Sequence, residues 1–329
     1  FERALFKKVC KRIGRLIVCN LQNTFVDRHD DDFSRPLTRI RNRVIGSGLG
    51  FTRYVERDFV RTPFEADRKR NGRVAKGAHV DFGAFGENLV VSGFDFATLP
   101  VGTLLRSGDV LLEMTQIGKE CHTHCAIYHS VGDCIMPREG VFARVLEGGT
   151  LHCGDELVIE ERKGPRPYQA AVITLSDKGS RGERVDESGP LIVKRLEKEG
   201  FEVMETLLLP DNEEKLKKEL IRLADQRQAD LILTTGGTGF APTDVTPEAT
   251  LAVADRMVPG IAEAMRAESM KFTKRAMYSR ATSILRKGTL IVNLPGSPKA
   301  CDECLDVFLS TVAHPLDLLR YGASDCARK

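Results

Sequence analysis

At 329 residues, with 42% hydrophobic and 29% charged side chains, the chain is too long for one ordinary core, and two folded domains are expected. No run approaches the roughly 18 uninterrupted apolar residues of a membrane helix. The amino terminus, which does not start with Met, lacks the basic-then-apolar layout of a signal peptide, so a cytoplasmic protein without membrane contact is expected. The net charge of +3 conceals an asymmetry: residues 1–76 hold 19 Lys+Arg against 9 Asp+Glu, leaving 30 against 37 for the rest, while nine irregularly spaced cysteines argue for reduced thiols over a disulfide framework.

In chain order, residues 1–76 form a basic segment with scattered arginines (Arg35, Arg39, Arg41, Arg43, Arg53, Arg57). Neither the strand nor the helix period persists there, so no element is assigned. Asp30, Asp31 and Asp32 interrupt the arginines and no aromatic stacking pattern accompanies them, so a nucleic-acid partner is not expected.

Residues 77–162 change to short β-like runs separated by glycine turns. In DVLLEMTQI (109–117), Val110, Leu112 and Met114 share one face while Leu111, Glu113 and Thr115 take the other, as in a half-buried strand. DELVIE (155–160) alternates likewise. GTLLRSGDVLLE and GTLHCGDELVIE each place a Gly-Asp turn between two extended runs, which predicts two hairpins. Between them CHTHCAIYHSVGDC gathers Cys121, Cys125 and Cys134 with His122, His124 and His129. The spacing matches no common zinc ribbon, and one reactive thiol is expected rather than a full metal cage.

RKGPRPY supplies prolines and a glycine for a linker, placed at 163–168. From 169 to 329 strands and helices alternate. QAAVITL is a buried strand, and SGPLIVKRLEKEG is a helix with Ser188 as cap and Gly200 as stop. FEVMETLLLP is the next strand. DNEEKLKKELIRLAD opens with Asp211 and Glu214 at capping-box spacing and lines up Leu216, Leu220 and Leu223. ADLILTT and GTLIVNLPGS are further strands, and one long terminal helix carries Cys304, Phe308, Val312, Leu316 and Leu319 on one side. Such alternation predicts a largely parallel sheet covered on both faces.

Ligands of open α/β sheets sit beyond the carboxyl ends of the strands. Four strands end in small polar or glycine-rich turns: Ser176-Asp177, Pro210-Asp211, Thr234 to Gly239, and Asn293 to Ser297. The bare amides of Gly236, Gly237 and Gly239 could approach phosphate oxygens. Asp211 and Asp244 then make sense with Mg²⁺ between them and the phosphates. The plainer reading makes Asp211 a helix N-cap and Asp244 or Thr246 the cap of the helix near Pro247. The loop matches neither G-x-G-x-x-G nor the Walker pattern.

The stretch TTGGTGFAPTDVTPEAT, with LSDKGSRGERVDESGP before it and MVPGIAEAMR, YSRAT and LIVNLPGSPKACDECL after it, closely resembles the molybdopterin-binding Mog-type family over about 160 residues. The resemblance implies a three-layer α/β fold, commonly a homotrimer, in which molybdopterin attacks the α-phosphorus of ATP with Mg²⁺ present. Asp244 and Asp211 would be the functional carboxylates. Ser176, Asp177, Gly236, Gly237, Thr238, Gly239, Asn293, Pro295, Gly296 and Ser297 would line the ligand site. FGENLVVSGFDFATLPVGTLLRSGDVLLEMTQIGKEC resembles the MOSC family of β-barrel modules, in which a cysteine at the place of Cys121 is the candidate sulfur carrier or molybdenum ligand. Residues 1–76 offer no counterpart of the further barrel strands this resemblance implies. Molybdenum cofactor assembly is therefore expected, with adenylylation of molybdopterin in the last domain and cofactor binding or sulfuration in the MOSC-like module. The alternatives are a non-catalytic carrier or sensor of the cofactor, or a different nucleotide enzyme on the same scaffold.

Overall fold

The computed structural model describes residues 13–18, 88–92, 95–119, 128–129, 136–152 and 154–322. The chain divides into two compact units, Phe1–Gly164 and Pro165–Lys329.

The first unit contains a six-stranded sheet of β1 (Ile13–Val18), β2 (Leu89–Ser92), β3 (Leu104–Ser107), β4 (Val110–Ile117), β5 (Val141–Glu147) and β6 (Val158–Glu160), in the order β2-β1-β5-β4-β3-β6. Strand β1 lies in the segment to which periodicity assigned nothing, and it pairs antiparallel with β2 and parallel with β5. The predicted first hairpin forms, with Ser107 opposite Val110 and Gly108 at φ +54° in the turn. The predicted second hairpin does not: among its described residues only Val158–Glu160 is a strand, and it pairs with β3. The further strands of the expected barrel fall on residues outside the described ones.

The half-buried reading of β4 also needs correction, because Leu111 and Glu113 are buried along with Val110, Leu112 and Met114. A carboxylate tolerates such burial only when paired. Arg144 Nε donates to Glu113 Oε2 at 2.6 Å, and Arg162 Nη2 donates to Oε1. The apolar core beneath comprises Phe96, Leu105, Leu112, Met114 and Val141 among others.

The second unit is built on β7 (Gln169–Leu175), β8 (Glu202–Leu209), β9 (Leu231–Thr235), β10 (Arg256–Met257), β11 (Ser283–Arg286) and β12 (Thr289–Leu294), ordered β10-β11-β12-β9-β7-β8. The four strands β12, β9, β7 and β8 run parallel, and the β10–β11 edge is antiparallel. Their side chains alternate between two cores. Val172, Leu233 and Val292 join Ile192 and Leu305 on one face, whereas Ile173, Ile232 and Ile291 join Leu216, Leu220 and Leu223 on the other. Covering both faces is why these strands read as continuous apolar runs.

Three local expectations are revised. Ser188 is the first residue of the helix Ser188–Lys198 and not its cap; Asp186 Oδ1 accepts the Gly189 N–H at 3.0 Å instead. The N-cap of Glu213–Ile221 is Asn212, whose Oδ1 accepts the Lys215 N–H at 2.9 Å, so Asp211 is released from capping. The terminal helix is broken into Pro298–Phe308 and Ala313–Tyr321 by a 3-10 turn at Leu309–Thr311. Pro315 lacks an amide and its ring opposes the carbonyl four residues back, so one continuous helix is excluded there. Nor is the proposed linker loose throughout. Arg166 pairs with the buried Asp230 at 3.1 Å, and the Tyr168 ring lies 5.4 Å from Phe201 and 4.4 Å beneath the Arg320 guanidinium.

Candidate functional site

Parallel pairing places the carboxyl ends of β12, β9, β7 and β8 side by side. The connection leaving β7 leads to β8 on one side, and that leaving β9 leads toward β10, β11 and β12 on the other. A crevice must open between such diverging loops.

Gly236 closes its floor. It has φ +95°, and a Cβ here would collide with the Leu175 carbonyl oxygen at the end of β7. Gly236 is buried, so it serves the approach of two strand ends rather than the approach of a ligand. Gly237 (φ +63°) and Gly239 are partly open. A Cβ on Gly237 would stand 3.3 Å from Asp211 Oδ1, and one on Gly239 would stand 2.8 Å from Asp244 Oδ2. The two carboxylates therefore lie against glycines two residues apart on a single loop.

Neither carboxylate caps a helix. Asp244 Oδ2 accepts the Ala241 N–H at 2.8 Å, drawing the loop into a turn, and Thr246 Oγ1 donates to the Gly236 carbonyl at 2.9 Å. Asp211 and Asp177 clasp each other: each backbone N–H donates to the other's carboxylate at 3.0 Å. Burial pushes the Asp211 carboxyl above its ordinary range. The neighbouring charges of Asp177 and Asp244 push it further, opposed only by the Asp177 N–H. A site that raises a carboxyl in this way is short of positive charge. Among the described residues no three acidic, histidine or cysteine side chains enclose a metal ion by themselves.

The remaining predicted residues divide. Ser176 Oγ accepts the Gly179 N–H at 3.0 Å and shapes the turn after β7. Gly296 and Ser297 are exposed at the head of Pro298–Phe308, where Ser297 Oγ accepts the Ala300 N–H at 3.2 Å. The Pro295 carbonyl accepts from Thr235 Oγ1 at 2.7 Å and from Cys301 Sγ at 2.9 Å. Burial pushes the Cys301 thiol up to about 11, which leaves it unreactive. Thr238 is buried. Asn293, expected at the ligand site, is fully buried, and its amide donates to Thr234 Oγ1 and Thr250 Oγ1 at 2.9 Å each. It braces β9 and β12 against the helix Thr246–Ala252. Cys121, with Cys125, Cys134, His122 and His124, lies outside the described residues.

The model of the probable molybdopterin-binding domain matches residues 171–314. Molybdopterin adenylyltransferase of Helicobacter pylori is 39% identical over 150 residues, which cover 45% of this chain and 85% of the relative. The chain belongs, through its second unit, to the molybdopterin-binding family. The molybdopterin adenylyltransferase of Haemophilus influenzae is 44% identical over 137 residues, covering 41% of this chain and 70% of the relative. The crystal structure of the molybdopterin biosynthesis enzyme MoaB from Thermus thermophilus is 46% identical with a TM-score of 0.45, covering 46% of this chain and 96% of that one. A MOSC-domain model matches residues 61–158.

Two residues of the molybdopterin-binding unit escaped the sequence reading. Asp186, three residues before Gly189, stands at ordinary capping spacing and could have been found. Arg280 could not. Its Nε donates to the Gly239 carbonyl at 2.6 Å and its Nη2 to the Asp244 carbonyl, across 41 and 36 residues of sequence.

Proposed function

We propose that the molybdopterin-binding unit adenylylates molybdopterin with Mg-ATP, and that the MOSC module binds or sulfurates the cofactor at a related step of molybdenum cofactor biosynthesis. The observation that carries this reading is the placement of Asp211 and Asp244 against Gly237 and Gly239 of one strand-end loop, in a unit 39% identical to a molybdopterin adenylyltransferase.

An oxygen of the pterin's phosphate bonds to the α-phosphorus of ATP, the bond to the oxygen bridging toward the β-phosphorus breaks, and pyrophosphate leaves with the electron pair. The loop's bare glycines let backbone amides reach phosphate oxygens. Asp211 and Asp244 would hold Mg²⁺ jointly with those oxygens. The fit is good on chemical grounds: the donors are hard oxygens, they are crowded by like charge, and the described residues offer no complete cage, which suits an ion that keeps water and phosphate in its shell. Bound there, the ion would screen the phosphate charge during transfer. Ser176, Asp177 and the turn Pro295-Gly296-Ser297 would border the pterin side. Cys121 would carry sulfur or ligate molybdenum in the MOSC module. Exposed Phe240, Phe272, Met277 and Tyr278 support association of the molybdopterin-binding unit with copies of itself, for which the family resemblance suggests a homotrimer.

The test is incubation with molybdopterin and Mg-ATP, with adenylylated pterin read by mass. Omitting Mg²⁺, or substituting Asp244→Asn, should lower the rate by about 100-fold or more. Undiminished turnover in either case would overturn the reading.

A further inference from the structure

Arg280 approaches the glycine-rich loop from behind, through its carbonyl groups. Its backbone N–H donates to the Thr238 carbonyl at 3.0 Å, its Nε to the Gly239 carbonyl at 2.6 Å, and its Nη2 to the Asp244 carbonyl. The remaining nitrogen, Nη1, pairs with the Glu248 carboxylate on the helix Thr246–Ala252. Each nitrogen of the guanidinium thus makes a contact within the protein, and three of its five N–H groups are committed to holding the loop and the helix beside it.

The consequence follows from peptide geometry. The described residues have no cis peptide bonds, and in a planar trans unit the C=O and the next residue's N–H point in opposite directions. Turning the carbonyls of Thr238, Gly239 and Asp244 toward Arg280 therefore turns the N–H groups of Gly239, Phe240 and Val245 away from it. Two of these belong to successive residues, and successive N–H groups facing one way form a concavity that binds anions. The same bond to the Asp244 carbonyl fixes the backbone from which the Asp244 carboxylate projects against Gly239.

We infer that Arg280 is a positioning residue for adenylyl transfer, orienting the Gly239 and Phe240 amides and the Asp244 carboxylate for an anionic phosphate ligand. The inference rests on the function proposed above and adds to it a residue that need not touch either substrate. A guanidinium fork spans two carbonyls at a fixed separation, and an ammonium engages one at a time. A neutral amide of shorter reach engages neither in this geometry.

The experiment uses the full chain as wild type, Arg280→Lys and Arg280→Gln, with three readouts: kcat and KM for adenylyl transfer, Mg-ATP affinity by titration calorimetry, and Tm. Arg280→Gln should lose about 10- to 100-fold in kcat/KM and weaken Mg-ATP binding, as misplacement of a supporting group does elsewhere. Arg280→Lys should fall between it and wild type, and both variants should melt within a few degrees of each other. Wild-type kcat/KM in Arg280→Gln, or a lysine variant no better than the glutamine one at equal Tm, would overturn the inference. Should the wild type bind Mg-ATP without transferring AMP, the proposed function fails alone, and the order of the three affinities still decides the role of Arg280. A wild type with no affinity for Mg-ATP overturns both.

Discussion

Asp211 occupies a position where a carboxylate opposes folding. Its pKa is raised by burial first and by Asp177 and Asp244 second, so the folded state binds the proton more tightly than the unfolded chain does. The linked stability cost is absent below the ordinary aspartate range. It develops as pH rises from the ordinary value through the raised one, and it persists above that. Asp211→Asn should therefore stabilise the protein at pH 7 and not near pH 3.5. For a partly solvated group the gain is about 1–3 °C in Tm. Thermal melts at the two pH values check the sign, and equal or lower Tm at pH 7 would contradict it. The same variant should lose adenylyl transfer, as expected where a charge is kept for its ligand. Pro210-Asp211-Asn212 shows how far the sequence was legible here. Both Asp211 and Asn212 are good caps, and spacing favoured Asp211 with Glu214. Only the backbone leaving β8 decides between them: it gives the cap to Asn212 and turns Asp211 toward Asp177.

At the scale of elements, the glycine-rich loop shows that neighbouring glycines serve different physical ends. Gly236 combines a positive φ with backbone of β7 pressed against the place a side chain would occupy, and backbone cannot swing aside. Gly182 also has a positive φ, +74°, but with open space around it. Gly236→Ala should cost about 3 kcal/mol or more, summing left-handed strain and overpacking, against about 1 kcal/mol for Gly182→Ala. Denaturant melts of the two variants compare them directly, and equal costs would refute the close approach of strand ends. The strands of the second unit were readable as continuous apolar runs bounded by turn residues, because both of their faces are covered. In β4 the pattern misled: Glu113 looked like a solvent-facing residue, yet Arg144 and Arg162 bury it. Arg162 lies 49 residues away, so no local window could register the pairing.

For the whole molecule, the division at Gly164 and Pro165 leaves the second unit with two complete apolar cores of its own. Residues 165–329 produced alone should fold, assemble as a trimer by light scattering, and adenylylate molybdopterin within about twofold of the full chain, because every group placed at the site belongs to this unit. A monomeric or inactive fragment would refute this expectation. If the MOSC module acts on the product of this unit, tethering raises the effective concentration of that product at the second site. Separated units should then complete the coupled reaction more slowly than the fusion at equal concentration. Equal rates would remove that rationale.

The amino-acid order was enough to place the four parallel strands and the helices Ser188–Lys198 and Glu213–Ile221 of the second unit, and to show that acidic and glycine-rich turns end those strands. Those properties follow from hydrophobic period, helix-terminal chemistry and the missing Cβ, all of which act over a few residues. Tertiary structure alone decided which of two adjacent residues caps a helix, that Asn293 is an internal brace, and that Arg280 reaches across 41 residues to turn the peptides beside Asp244. Such pairings depend on where distant backbones meet, and hydrogen bonds between them leave no periodic trace in the chain.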